Sequence, residues 1–112
     1  MKSAPISVII PCFNCSNEVE NAVQSIFNQT VRPTELILVD DCSNDGGLTI
    51  KKLASIQSRF MDLLPTYVLQ TPSNSGPGVA RNLGLKTQSQ PYIAFLDSDE
   101  VWHCAKLETQ YL

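Results

Sequence analysis

Four apolar runs punctuate the chain, each followed at once by polar or turn-forming residues: Ile6 to Ile10, Glu35 to Val39, Thr66 to Gln70 and Tyr92 to Leu96. Their β-branched and aromatic content predicts strands. In Ile6-Ser7-Val8-Ile9-Ile10 and Leu36-Ile37-Leu38-Val39 the apolar character is nearly continuous instead of alternating, as in parallel strands covered on both faces. Between the runs the spacing of apolar residues lengthens to three and four. Val19, Ala22, Val23, Ile26 and Phe27 make one helical stripe within Glu18 to Gln29, with Ser16 or Asn17 to cap it. Leu48, Ile50, Leu53, Ala54 and Ile56 make a second within Gly47 to Phe60. Val79, Ala80, Leu83 and Leu85 make a third, starting at Pro77 or Gly78 and ending at Lys86. A fourth helix is predicted from near Cys104 to Leu112.

The order β-α-β-α-β-α-β with short connections predicts an α/β fold: an open, mostly parallel sheet flanked by helices, with right-handed crossovers. Ligands of such sheets sit beyond the carboxyl ends of the strands, where the winding direction reverses. At 112 residues the chain is long enough for one core and too short for two ordinary domains, so residues 1–112 are read as a single domain. A hydrophobic content of 43% with 17% charged residues is that of a packed globular domain. The net charge of -3 argues against nucleic-acid binding, which asks for a basic face. The N-terminal apolar run stops at Pro11, too short for a signal-peptide core or a bilayer span. A protein without a transmembrane segment is expected, cytoplasmic or peripheral at the inner face of the membrane.

Chemistry changes the picture at the strand ends. Asp40, Asp41 and Asp45 follow the second run and Asp97, Asp99 and Glu100 follow the fourth, so six of the eleven acids crowd two strand ends. Carboxylates that close repel one another unless a cation sits among them. Asp97-Ser98-Asp99 in extended conformation puts both aspartates on one side, fit to grip a divalent cation such as Mg2+ or Mn2+ or to split between metal and a ribose hydroxyl. Asn74-Ser75-Gly76-Pro77-Gly78 opens the third helix, whose free amides can accept negative charge, but it lacks dinucleotide-fingerprint and P-loop spacing. Cys12 and Cys15 form a C-x-x-C pair with no second pair at finger or ribbon spacing, so the four cysteines are read as reduced thiols. His103 is read as a loop-packing residue and Trp102 as a loop anchor.

In order and spacing, four blocks resemble the donor-binding half of the family 2 glycosyltransferases of the GT-A fold. They are Val8-Ile9-Ile10-Pro11-Cys12-Phe13-Asn14, Leu38 through Asp40-Asp41-Cys42-Ser43-Asn44-Asp45-Gly46, Asn74 through Arg81-Asn82-Leu83-Gly84, and Phe95-Leu96-Asp97-Ser98-Asp99. The resemblance runs from Ser7 to about Gln110.

It implies a nucleotide-diphospho-sugar donor, a UDP-sugar first of all, with Mn2+ or Mg2+ as cofactor. By the same likeness Pro11 and Phe13 line the base pocket, Phe13 standing where family members usually carry Tyr, and Asn14 is a further nucleotide-sugar-binding residue. Asp41 would accept the uracil N3–H with Asp40 beside it, Asp40 otherwise serving as a loop cap. Glu18 would help at the ribose or sit against the helix dipole. Arg81 would neutralise diphosphate or tie the acidic loops together. Asp97 would reach ribose or metal, and Asp99 would ligate the metal. The reaction implied is inverting sugar transfer, with the acceptor site and the general base in a second half of the enzyme. Without that half, exposed apolar surface favours self-association. Cys104, where relatives carry Pro, and Glu100, where many carry Asp, depart from the pattern. Two other readings stand beside it: a non-catalytic nucleotide-binding fragment or remnant, and a nucleotidyltransferase, whose basic glycine-rich loop after the first strand is absent here.

Overall fold

The computed structural model describes residues 2–111. In chain order its elements are β1 (Lys2–Ser3), β2 (Ile6–Cys12), α1 (Val19–Phe27), β3 (Val31–Arg32), β4 (Glu35–Asp40), α2 (Leu48–Phe60), β5 (Thr66–Gln70), α3 (Pro77–Thr87), β6 (Tyr92–Phe95) and α4 (Lys106–Tyr111). The four apolar runs are the strands of one parallel sheet in the order β5-β4-β2-β6. β1 and β3 add a two-stranded parallel ribbon that the sequence pattern did not predict, because strands of two residues are too short to carry a period. β2 runs on to Cys12, two residues past the apolar run. α1 begins at Val19, with Glu18 in the N-cap position and no side-chain cap. The caps expected at Ser16 and Asn17 are not used; instead the Cys15 carbonyl accepts hydrogen bonds from the Glu18 and Val19 amides. Leu112, the expected end of α4, lies outside the described residues.

Alternation along the strands explains the layers. Ile6, Val8 and Ile10 of β2, with Leu36 and Leu38 of β4, pack beneath Val19, Val23 and Ile26 of α1 and Leu53 and Ile56 of α2. Ile9, Ile37 and Val39 point to the opposite face, against Ala80 and Leu83 of α3. Ile9, Ile10, Ile26, Leu36, Leu38, Leu53 and Ile56 are fully buried, and burying each such side chain is worth about 1.5–3 kcal/mol. The chain steps from β2 to β4 to β5 with α1 and α2 on one face, then returns across the sheet to β6 through α3 on the other. Right-handed crossovers in both directions require that arrangement. β2 is therefore the strand from which the chain winds both ways, and a crevice opens at its carboxyl end.

α3 lies close on the sheet because of Gly84. A Cβ there would stand 2.6 Å from Ile9 Cγ2. A buried polar knot fastens the far end of the same helix: Ser7 Oγ donates to Glu35 Oε2 at 2.6 Å, and the Ser89 amide donates to the same oxygen at 2.7 Å. Among the described residues no helix is long and apolar enough to cross a membrane.

Candidate functional site

A hollow of about 400 Å³ opens at the carboxyl ends of the strands and is lined by Pro11, Cys12, Phe13, Asn14, Cys15, Glu18, Asp41, Asn74, Gly76, Pro77, Asp97, Ser98 and Asp99. Segments following each strand of the large sheet thus meet at one rim. Of the residues singled out in the sequence, Pro11, Phe13, Asn14, Glu18, Asp41, Asp97 and Asp99 come together there, and Asp40 and Arg81 do not join the lining.

Asp41 sits at the inner wall, 3% exposed. Its Oδ1 accepts hydrogen bonds from Thr71 Oγ1 at 2.7 Å and the Ser75 amide at 3.0 Å, and its Oδ2 accepts one from the Gly76 amide at 2.8 Å. Burial pushes this carboxyl toward the neutral form, but the bonds from Ser75, Thr71 and Gly76 outweigh it and hold the pKa below the ordinary aspartate value. Oδ2, with a single internal donor, keeps a lone pair for a ligand N–H. The same carboxylate shapes the entry to α3: Gly76 has φ 93°, a backbone conformation that suits glycine, and Pro77 follows at the first helical turn.

Asp40 explains its own absence from the lining. It is 1% exposed and spent on the loop, accepting from the Ser43 amide, from Ser43 Oγ at 2.5 Å and from Gln70 Nε2 at 3.0 Å. Its geometry is that of a loop cap. Arg81 reaches across to Asp97, Nη2 donating to Oδ1 at 3.0 Å, and lies over the Phe95 ring. It ties α3 to the β6 loop. His103 is exposed and away from the hollow; its Nδ1 accepts the Ala105 amide and its carbonyl accepts Gln29 Nε2. Trp102 packs partly buried against the main core.

Pro11, near the end of β2, and the exposed Phe13 in the loop after it both line the hollow. Cys12 and Cys15, unremarked in the sequence except as a pair, are both buried lining residues. Hydrogen bonding with the Cys15 thiol, then burial, push the Cys12 thiol well above its ordinary pKa, so it lines the floor as a neutral group. Asn74, Gly76 and Ser98 are further lining residues that the sequence reading did not select as contacts; their place within the Asn74–Gly84 and Phe95–Asp99 blocks was the available signal.

Whether the acids suit a cation follows from their partners. Among the described residues no group of three or more His, Cys, Asp or Glu side chains is gathered as a ready-made metal cage. Asp97 to Asp99 is a turn and not the extended segment expected, the Glu100 amide donating to the Asp97 carbonyl at 3.0 Å; Asp97, Ser98 and Asp99 all line the hollow, and Mg2+-type sites use one or two carboxylates completed by substrate phosphates and water. Asp97 has one oxygen engaged by Arg81. The donor set therefore fits a hard divalent cation that arrives with a phosphate ligand.

Comparison with known proteins places these features in a family. The profile described as glycosyl transferase family 2 matches residues 7–111. The poly(ribitol-phosphate) beta-N-acetylglucosaminyltransferase TarP of Staphylococcus aureus is 39% identical over 111 residues, 95% of this chain and 32% of TarP. The UDP-Glc:alpha-D-GlcNAc-diphosphoundecaprenol beta-1,3-glucosyltransferase WfgD of Escherichia coli is 36% identical over 105 residues, 94% of this chain and 39% of WfgD. The crystal structure of S. aureus TarS 1-349 in complex with UDP superposes with a TM-score of 0.77 at 31% identity, covering 99% of this chain and 31% of that one. The chain spans 40% or less of the length of the curated relatives it matches.

Proposed function

The chain belongs to glycosyl transferase family 2, and from that premise we propose that its hollow binds a nucleotide-diphospho-sugar, a UDP-sugar first of all, as the donor half of an inverting, metal-dependent glycosyltransferase. The observation that carries the reading is the meeting of an aromatic ring, a hydrogen-bonded carboxylate and two further carboxylates, one of them paired with Arg81, at one strand-end hollow: Phe13, Asp41, Asp97 and Asp99. TarS, similar over nearly the whole chain, has been crystallised with UDP and with UDP-GlcNAc, which favours uridine.

In this reading Pro11 and Phe13 pack the base. Phe13 offers a stacking face without the hydroxyl of the usual Tyr. Asp41 Oδ2 accepts the uracil N3–H, which cytosine lacks, so the buried carboxylate selects the base as well as holding it. Asp97 turns to the ribose or shares the cation with Asp99. A bound Mn2+ or Mg2+ would neutralise the charge that grows on the departing diphosphate. Glu18, a lining residue at the N-cap of α1, would help at the ribose or sit against the helix dipole. Transfer is a single displacement: an acceptor hydroxyl oxygen bonds to the anomeric carbon as the bond to the nucleoside diphosphate breaks, and the hydroxyl proton passes to a base. That base is expected outside these residues.

Calorimetric titration with UDP, with and without Mn2+, tests the reading. UDP binding strengthened by Mn2+ is expected, with Asp99→Ala removing the Mn2+ contribution by a factor of about 10 or more. Absence of UDP binding by the folded chain would favour the remnant, and binding indifferent to Mn2+ would remove the metal from the mechanism.

A further inference from the structure

Asn14 and Asn44 are joined as a reciprocal pair across two loops. Asn14 Nδ2 donates to Asn44 Oδ1 at 2.7 Å, and the Asn44 amide donates to Asn14 Oδ1 at 3.0 Å. A third bond runs alongside: the Asn14 amide donates to Ser43 Oγ at 2.9 Å, and Ser43 Oγ donates in turn to the buried Asp40 carboxylate. The chain of bonds from Asp40 through Ser43 is therefore anchored in the sheet at one end and ends at the other on the Asn14 backbone, next in sequence to Phe13.

Asn14 itself has φ 48°, the left-handed region that asparagine tolerates better than most residues. Phe13, the residue before this turn, lines the hollow. Phe13 is 41% exposed, so core packing alone does not hold it. The turn that follows it is closed by three hydrogen bonds, one of them accepted by the Asn44 side chain. Asn44 does not itself line the hollow.

We propose that Asn44 is a positioning residue: its amide pair with Asn14 keeps the Phe13 ring at the base end of the hollow and so sets how strongly a nucleobase is held. The inference rests on the reading of the hollow as a nucleotide site. Base stacking on an aromatic side chain is a substantial part of how a nucleotide is held. A ring left to wander forfeits part of that, while contacts to the diphosphate stay as they are.

The experiment compares UDP, which carries a base, with inorganic pyrophosphate, which does not, each titrated calorimetrically in Mn2+ against wild type, Asn44→Ala and Asn44→Asp. Asn44→Ala is expected to weaken UDP roughly 3- to 10-fold with pyrophosphate unchanged. Asn44→Asp keeps the acceptor for Asn14 Nδ2 and the backbone donor, and is expected within about twofold of wild type. Asn44 is exposed, so both variants should fold, and thermal melting checks that they do. Equal weakening of UDP and pyrophosphate, or no change in UDP affinity with Asn44→Ala, overturns the inference while leaving the nucleotide reading intact. Failure of wild-type protein to bind UDP at all overturns that reading and the inference together.

Discussion

Asp41 is the residue on which structure and proposed chemistry meet most directly, because one carboxylate accepts hydrogen bonds from Thr71, Ser75 and Gly76 and still faces the hollow. Replacing it with Asn turns an NH2 group toward backbone N–H donors on one side or the other, leaving a buried donor unmatched. A loss of about 1–3 kcal/mol of stability is expected, with loss of UDP binding, measured by urea unfolding and calorimetry. The pH dependence follows from its depressed pKa. Such a group adds stability that is fully present above the unfolded aspartate value near ~3.9 and is lost as pH falls through the lower folded value. Plotted against pH below that range, the urea midpoint of wild type should fall more steeply than that of Asp41→Asn; parallel curves would remove Asp41 from the acid response. Cys42, next in the chain, has φ 56°, a conformation that costs a non-glycine residue about 1–2 kcal/mol. Its strain sits on the same rim as the left-handed Asn14, as sites that over-determine their loops often show.

At the scale of elements, α3 shows why one glycine is required and another is not. A Cβ at Gly84 would meet Ile9 at the distance of an atomic overlap, whereas a Cβ at Gly78 would meet nothing within 4 Å. Gly84→Ala should therefore cost about 1–3 kcal/mol from overpacking against a fully buried residue, reduced by the roughly 1 kcal/mol of helix propensity that alanine brings. Gly78→Ala, on the same helix, should be neutral to stabilising by up to about 1 kcal/mol. Urea midpoints of the two variants should move in opposite directions. Because α3 begins at the hollow, Gly84→Ala should also weaken UDP, and an unchanged affinity would mean the helix shifts without moving its first turn. Both glycines were visible in the Asn74–Gly84 block, but which of them touches the sheet depends on the rotation of the helix about its axis, and that rotation is set by packing.

For the molecule as a whole, the consequential feature is an uncovered flank. Among the described residues β6 ends the sheet, with β2 its only neighbour. Tyr92, Ile93, Phe95 and Tyr111 are exposed along it. An apolar, unpaired strand edge invites pairing with a second copy, so concentration-dependent association is expected in sedimentation, and Ile93→Lys should suppress it; a monomer at all concentrations would show that the edge is adequately protected by its short length. The strands, the helices, the parallel order and the gathering of acids at strand ends were legible from the chain alone, since apolar period, turn residues and charge are local properties that any packing must respect. The bounds of α1, the ribbon of β1 and β3, the diversion of Asp40 and Arg81 away from the hollow and the Asn14–Asn44 pair were decided only by the tertiary structure. In each case the deciding quantity is which polar group finds which partner across tens of residues, and a hydrogen bond between distant segments leaves no periodic trace in either of them.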